Sequence, residues 1–289
     1  MKPGLMINLT KPDAVQFARS LLTRWHDQGV NFLLPPEEGQ ALGQAWLPMN
    51  DFCQKASFVV VVGGDGTFLR AARRIQDIGA EVPLFGVNMG HLGFLATSTP
   101  DLFDQHLQDL LQGKGEVTRR RLIEGFIKKG ASEQPIYALN DVVLYKGCGA
   151  KMISVDVSLR GRSISTMRAD GVILSTPTGS TAYALSAGGP IVPPHVACTI
   201  LAPLCAHTLY WRPLVLSAED QVTLTLMSEQ DASVSVDGLD AIDLPQGGQL
   251  ELWLSDRAVS VMNLQSFDYF DLLHRKLMWG FDPVGGAHA

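Results

Sequence analysis

A chain of 289 residues is long enough for about two domains with a sizeable core. With 46% hydrophobic and 18% charged residues it cannot be a disordered chain, and a net charge of -6 argues against nucleic acid as a partner, because phosphate backbones need a basic face. No apolar run approaches the ~20 residues of a membrane span, and the first ten residues do not read as a secretory leader, so a cytoplasmic protein with no membrane partner is expected.

Residues 4–8 predict a first strand, and Lys11, Pro12 and Asp13 open an amphipathic helix to about residue 28 with Phe17, Leu21, Leu22 and Trp25 on one face. Residues 31–34 predict a short second strand, ended by the cluster Pro35, Pro36, Glu37, Glu38 and Gly39. Next come Val59, Val60, Val61 and Val62, which suit a strand buried on both faces. Gly63, Gly64 and Gly66 then supply backbone freedom for a tight turn and for close approach to a ligand. Phe68, Leu69, Ala72, Ile75 and Ile78 recur at helical spacing, so the N–H groups of a helix start face back over the strand end, an arrangement suited to phosphate. Asp65 is out of place there, because a carboxylate repels phosphate unless it takes a proton or faces a cation, and its position argues for chemistry. The dinucleotide fingerprint is excluded by Leu69 where a third glycine should stand, and the P-loop by the missing Gly-Lys-Ser/Thr.

A further strand over 83–88 runs into Asn88, Met89, Gly90, His91, Leu92, Gly93 and Phe94. Strands alternating with helices predict a parallel sheet whose Gly63 and Asn88 loops open on one side. His91, with no partner carboxylate nearby in sequence, reads as a capping or packing residue. A helix over 101–111 closes this domain.

Beyond Gly113 short β-branched segments dominate: 123–128, 136–145, 153–160, 172–175, 221–226, 233–236, 250–254 and 259–264. Hairpin turns are expected at Arg160-Gly161-Arg162 and Ser255-Asp256-Arg257. Residues 267–279 predict a helix with Phe267, Phe270, Leu273 and Leu277 on one face, packing back on the first domain. The expected organisation is an α/β domain with a parallel sheet over 1–115, a β-rich, sandwich-like domain over 116–264 and a returning C-terminal segment over 265–289. Arg119, Arg120 and Arg121 read as a solvated junction. The cysteines Cys53, Cys148, Cys198 and Cys205 have neither metal-ligand nor disulfide spacing, and no protein metal cage is visible.

In residues 168–194, Ser175, Thr176, Thr178, Ser180 and Thr181 crowd hydroxyls around Pro177 and Gly179, with Tyr183 following. Such a loop suits a ribose or phosphate; it equally suits a loop that satisfies its own backbone. Asp141 and Asp170 can accept from sugar hydroxyls or an adenine amino group, or serve as strand-end aspartates.

Four blocks together carry a resemblance: GGDGTFLRAAR from Gly63 to Arg73, NMGHLGFL from Asn88 to Leu95, LNDVVL from Leu139 to Leu144, and DGVILSTPTGSTAYALSAGGPIV from Asp170 to Val192. In this order they resemble the NAD kinase family over nearly the whole chain. The resemblance implies transfer of the ATP γ-phosphoryl group to the adenosine 2'-hydroxyl of NAD, with Mg²⁺ carried on ATP, by a homodimer or homotetramer whose substrate site a neighbouring subunit touches. It implies Asp65 as base, with Gly64, Gly66 and Thr67 lining the phosphates and Asn140 and Asp141 holding NAD. By the same resemblance Arg168 and Asp170 sit by the nucleotide, the stretch Thr181, Ala182, Tyr183, Ala184, Leu185 and Ser186 walls the pocket, and Arg70 and Lys151 contact substrate. Arg168 resembles members that prefer NAD to NADH. Asp141 departs from the family's usual glutamate, and Leu239, after Asp237-Gly238, stands where many members have glutamine.

Two other readings use the same features: a lipid or sugar kinase, which shares GGDG, and a dinucleotide-binding sensor. The first lacks an amphipathic stretch suited to a membrane surface, and the second has no use for Asp65. NADP formation from ATP and NAD discriminates all three.

Overall fold

The computed structural model of the chain describes residues 1–90, 92–147, 151–208, 210–239 and 241–278. These group into two units, Met1–Arg119 with the chain from Val259 on, and Arg120–Ala258.

The first unit grows from its valines. Its elements in order are β1 (Pro3–Ile7), α1 (Pro12–His26), α2 (Pro36–Leu42), α3 (Met49–Lys55), β2 (Phe58–Gly63), α4 (Asp65–Asp77), β3 (Leu84–Asn88) and α5 (Pro100–Leu111). Strands β1, β2 and β3 are parallel, with Leu5 opposite Val60 and Val60 opposite Phe85. Ala14, Ala18, Leu21 and Trp25, spaced by four, three and four residues, form the buried face of α1. They join Val60, Val62, Phe85, Phe103 and Leu107 in one core. Burying each large apolar side chain there is worth roughly 1.5–3 kcal/mol. Gly63 pairs with Asn88, so the loops after β2 and β3 leave the same end of adjacent strands, as the alternation of strands and helices predicts.

One expectation for this unit fails. Residues 31–34 form no strand; Leu33 makes a single parallel bridge to Gly4. The Pro-Glu cluster after them opens α2, since Pro36 suits a first helical position and Glu37 and Glu38 suit the first turn. Glu38, 1% exposed, is held by both terminal nitrogens of Arg74 at 2.8 and 3.3 Å.

The chain continues through β4 (Gly115–Lys129), β5 (Ser132–Ala138), β6 (Asp141–Lys146), β7 (Ile153–Leu159), β8 (Arg162–Ala169), β9 (Gly171–Ser175), a 3-10 turn (Thr178–Thr181), α6 (Tyr183–Ser186), β10 (Cys198–Leu204), β11 (Leu214–Ser217), β12 (Val222–Leu226), β13 (Ala232–Val236), β14 (Ile242–Leu244), β15 (Gln249–Leu264) and α7 (Tyr269–Leu277). In the second unit one antiparallel sheet runs β11-β10-β9-β6-β13-β14, and a second layer contains β12, β7, β8, β4 and β5 with the first part of β15. Alternate residues of both layers, among them Leu144, Val155, Val172, Leu174, Leu224, Val234 and Leu250, fill a single core, the sandwich expected from the strand spacing. The turn at Arg160-Gly161 has both residues in the left-handed region, φ 49 and 76, as a tight hairpin requires.

The division between units falls inside the long strands β4 and β15. No hairpin forms at Ser255-Asp256-Arg257: Arg121 donates to the carbonyls of Ser255 (2.8 Å) and Leu254 (3.2 Å) and pairs with Asp256, which keeps β15 extended. The segment 136–145 is not one strand; it breaks at Leu139 and Asn140. Strands β8, β10, β11 and β14 are additional to the segments named from the sequence. The tail helix α7 belongs to the first unit, and the Asp268 side chain caps it by accepting the N–H groups of Phe270 and Asp271. It buries Leu272 and Leu273, whereas Phe270 is 59% exposed, so its inner face is rotated from the expected one. Trp279, His91 and Cys148 lie outside the described residues.

Candidate active site

The loop after β2 is where the sequence concentrates its glycines, and the structure assigns them different work. None of Gly63, Gly64 and Gly66 has positive φ, so the turn does not depend on left-handed backbone. A Cβ on Gly63 would collide with Thr67, whereas one on Gly66 would meet nothing within 4 Å. Gly66 therefore leaves open space over the first turn of α4, whose leading N–H groups have no partner inside the helix. Thr67 and Phe68 close that turn by donating to the Gly64 carbonyl at 2.9 and 3.0 Å.

Asp65 is the first residue of α4 and its carboxylate is clamped. Oδ2 accepts the N–H of Phe94 at 2.8 Å, and Oδ1 accepts those of Leu95 and Ala96 at 3.1 and 3.0 Å. Gly93 is a glycine for this reason, because a Cβ there would collide with the Asp65 carboxylate. Phe94 in turn lies under Lys276 of α7, 5.7 Å from ring centroid to nitrogen. The misfit carboxylate of the glycine loop thus organises the neighbouring Asn88 loop. Beside it, Thr67 and Arg70 line a cavity of about 320 Å³ with Asn8, Thr10 and Arg74.

In the second unit a cavity of about 420 Å³, within the range of small-molecule sites, is lined by Asn140, Asp141, Val143, Tyr145, Ala182, Tyr183, Ser235, Asp237 and Gly238. Of the residues singled out from the sequence, it gathers Asn140, Asp141, Ala182 and Tyr183, the last 49% exposed at its rim. Lys151, Arg168, Asp170, Thr181, Leu185 and Ser186 are not among its lining residues, and Ala184 is buried against Val143, Ile173 and Ala202. Asp170 pairs with Lys146 at 2.8 Å. Asp141 is 5% exposed, and burial, followed by the nearby charge of Asp237, raises its carboxyl to about 7.

The hydroxyl-rich loop serves its own backbone. Ser175, Thr176, Thr178 and Ser180 are buried. Thr176 Oγ1 donates to the Leu139 carbonyl (2.6 Å) and accepts from Gly179 (3.0 Å); Ser175 Oγ donates to the Asn140 carbonyl (3.1 Å); Ser180 ties Pro177 to Val192. Thr176 and Ser175 thus hold the segment that presents Asn140, and Ser180 holds its own loop. Val143, Tyr145, Ser235 and Asp237 were missed as lining residues; for the first three the alternation of β6 and β13 carried the signal, since odd positions 143, 145 and 235 share a face, whereas Asp237 follows in the turn after β13.

Residues 47–115 match the ATP-NAD kinase N-terminal domain and residues 139–264 the ATP-NAD kinase C-terminal domain. An NAD kinase of Geotalea daltonii is 35% identical over 96% of this chain and 99% of its own length, and one of Magnetococcus marinus is 37% identical over 98% and 94%. An NAD kinase from Archaeoglobus fulgidus, solved in complex with ATP, superposes with a TM-score of 0.76 at 27% identity, covering 96% of this chain and 99% of that one. The yeast NADH kinase complexed with NADH shares the fold, with a TM-score of 0.87 at 24% identity over 100% of this chain and 90% of that one. Both halves match their domains in order and the curated relatives align nearly end to end: the chain belongs to the NAD kinase family.

Proposed function

We propose that the chain carries out its family's reaction, moving the γ-phosphoryl group of ATP to the adenosine 2'-hydroxyl of NAD to give NADP. The observation that carries this is the head of α4, where open space over Gly66 adjoins a clamped carboxylate that a mere binding protein would not need. A solved relative in complex with ATP accords with the phosphoryl donor.

Phosphoryl transfer asks for positioning and charge neutralisation more than for covalent help. Gly64 and Gly66 present backbone N–H groups to the triphosphate, Thr67 lines it through its side chain, and Arg70 adds a cation. A carboxylate has about four acceptor positions, and Asp65 uses three, so Oδ2 keeps one for the 2'-hydroxyl, whose proton it takes as the bond to phosphorus forms. Mg²⁺ carried by the triphosphate would be held by phosphate oxygens and water and would neutralise phosphate charge. Asn140 and Asp141 bind the hydroxyls of NAD, Ala182 and Tyr183 form the wall, and Thr181, Ala184, Leu185 and Ser186 hold those two in place from the same stretch of chain.

Lys151, Arg168 and Asp170, outside that cavity's lining, serve the site of a neighbouring copy in a homodimer or homotetramer. In support, Ile164 and Tyr210 expose 43% and 93% of their surface around a cavity of about 470 Å³ in the second unit. Both substrates suit a cytoplasmic enzyme.

The three N–H bonds favour a second reading of Asp65, as a clamp acting only through the Asn88 loop. Purified protein with ATP, Mg²⁺ and NAD, read out by an NADP-specific dehydrogenase, tests the function, and Asp65→Asn tests the base. Turnover in the variant should fall ~10²- to 10⁴-fold, with a folded protein that still binds NAD. No NADP from the parent overturns the function; near-normal turnover in the variant leaves Asp65 as a clamp. Chelator should abolish turnover without lowering the unfolding temperature.

A further inference from the structure

We propose that Asp237 is a positioning residue for NAD: its carboxylate fixes the backbone of residues 139–141, so that Asn140 and Asp141 line the cavity as a preset pair. This rests on reading that cavity as the NAD site.

The segment is unusual in that every backbone polar group of three residues is engaged where the strand breaks. On the donor side all three N–H groups go to one side chain: Leu139 to Asp237 Oδ2 at 2.9 Å, and Asn140 and Asp141 to Asp237 Oδ1 at 2.7 and 3.1 Å. On the acceptor side the Leu139 carbonyl takes the Thr176 hydroxyl, the Asn140 carbonyl takes the Thr176 N–H at 2.8 Å and the Ser175 hydroxyl, and the Asp141 carbonyl takes the Asp237 N–H at 2.9 Å. Gly179 packs so closely on the Asn140 carbonyl that any side chain there would collide with it. Residues 139–141 are thus held from both sides.

Asp237 is costly to keep. Its φ is +52, a conformation that side chains other than those of Asn and Asp rarely adopt, and with Gly238 at φ +67 it forms a turn closed by the Leu239 N–H on the Val236 carbonyl at 3.0 Å. It also sets a second carboxylate beside the buried Asp141. The three N–H groups answer its charge. A turn alone would be made as well by Asn or Gly; only a carboxylate offers two acceptor oxygens to three successive amides.

Asp237→Gly removes the carboxylate and keeps the left-handed backbone free of strain. The expected result is a rise in KM for NAD of about tenfold or more, with KM for ATP within about twofold and kcat changed less than KM. Asp237→Asn keeps one acceptor oxygen and loses the bond from Leu139, so it should restore a large part of the NAD affinity. An unchanged KM for NAD, or equal rises for NAD and ATP that follow a lowered unfolding temperature, overturns the positioning role. If the glycine variant does not fold, the asparagine variant carries the test with the same selective signature at smaller size. Tyr183→Ala separates this proposal from the reading beneath it. If that variant leaves KM for NAD unmoved, the cavity is not the NAD site; if it raises KM while Asp237→Gly does not, only the positioning role fails.

Discussion

Asp65 and Asp237 are each followed by glycine, and each spends its carboxylate on three consecutive backbone amides, yet they stand in opposite local structures. Asp65 opens a helix with ordinary backbone angles and reaches forward to Phe94, Leu95 and Ala96 in the next loop. Asp237 follows a strand, sits in the left-handed region and reaches back to Leu139, Asn140 and Asp141. The same pair of residues gives a helix start in one place and a strand-end turn in the other, because the flanking pattern decides: a helical apolar period follows Asp65, and an alternating strand precedes Asp237. The two clamps also differ in completeness. The Asp237 segment is gripped on its carbonyl side by Thr176 and Ser175 as well, whereas the Asp65 carboxylate accepts three N–H groups and keeps a fourth acceptor position, the one its proposed role as base requires.

Each clamp is backed by a glycine, and replacing these glycines separates the two functions most sharply. A Cβ at Gly93 collides with the Asp65 carboxylate, and a Cβ at Gly179 collides with the Asn140 carbonyl. Overpacking of this kind costs ~1–3 kcal/mol, and displacing a reacting group by about 1 Å can cost ~10²-fold in rate. Gly93→Ala should therefore lower kcat ~10- to 100-fold while the binding of NAD stays within about twofold. Gly179→Ala should raise KM for NAD ~10-fold and spare ATP. Steady-state kinetics with each substrate varied checks both, and the same pattern in both variants would mean that the clamps do not serve separate substrates.

The acid beside the Asp237 clamp sharpens the contrast through pH. In the folded protein the Asp141 carboxyl titrates near 7 instead of its ordinary 3.8, with burial as the larger cause and Asp237 as the smaller. A carboxyl raised on folding contributes stability that is present below about pH 4 and is lost as pH rises to about 7. Removing that carboxyl in Asp141→Asn should flatten the loss: between pH 5 and 8 the parent's unfolding free energy should fall more than the variant's, by on the order of 1–3 kcal/mol. Thermal or urea unfolding at the two pH values measures this directly, and parallel curves would show that Asp141 ionises as freely in the folded chain as in the unfolded one.

The order of legibility follows from what a sequence displays. The buried valines, the helix period after Asp65 and the alternation of strands were all readable, because burial on two faces, on one face at 3.6 residues or on one face at two residues leaves different apolar patterns. The glycine loop was readable as a site, and Asp65 as its misfit. What the misfit does was not, since its partners are amides 29 to 31 positions away and carry no side-chain signature. The hydroxyl-rich loop stayed open between two readings for a related reason: Thr176 and Ser175 bond backbone carbonyls of Leu139 and Asn140, and a hydroxyl that serves the chain looks in sequence like one that serves a ligand. The break at Leu139 and Asn140 was hidden because Ile136, Leu139, Val142 and Leu144 read as one β-branched and apolar run. Only the distant Asp237 makes a break there affordable, by satisfying the amides that leave the ladder.

Gly66 gives the smallest effect and isolates the ligand from the scaffold. Its φ is not left-handed, nothing lies within 4 Å of a Cβ placed on it, and it occupies the second position of α4. By the chain's own needs alanine is the better residue, since Gly→Ala in a helix gains up to ~1 kcal/mol from propensity and from the lower entropy of the unfolded chain. Near a helix start the gain is smaller than in the middle, so Gly66→Ala should unfold at the parent's temperature or slightly above it. If a triphosphate uses the open space, however, the methyl group stands between phosphate oxygens and the N–H groups of the first turn, and KM for ATP should rise by ~3- to 10-fold, the equivalent of about one weakened hydrogen bond. KM for NAD should stay where it was, because Asn140 and Tyr183 are untouched. Stability unchanged with ATP affinity lowered would make Gly66 a residue kept for the ligand alone. Unchanged affinity for ATP would place the phosphates elsewhere, and a lowered unfolding temperature would mean that the space over α4 is needed by the chain itself.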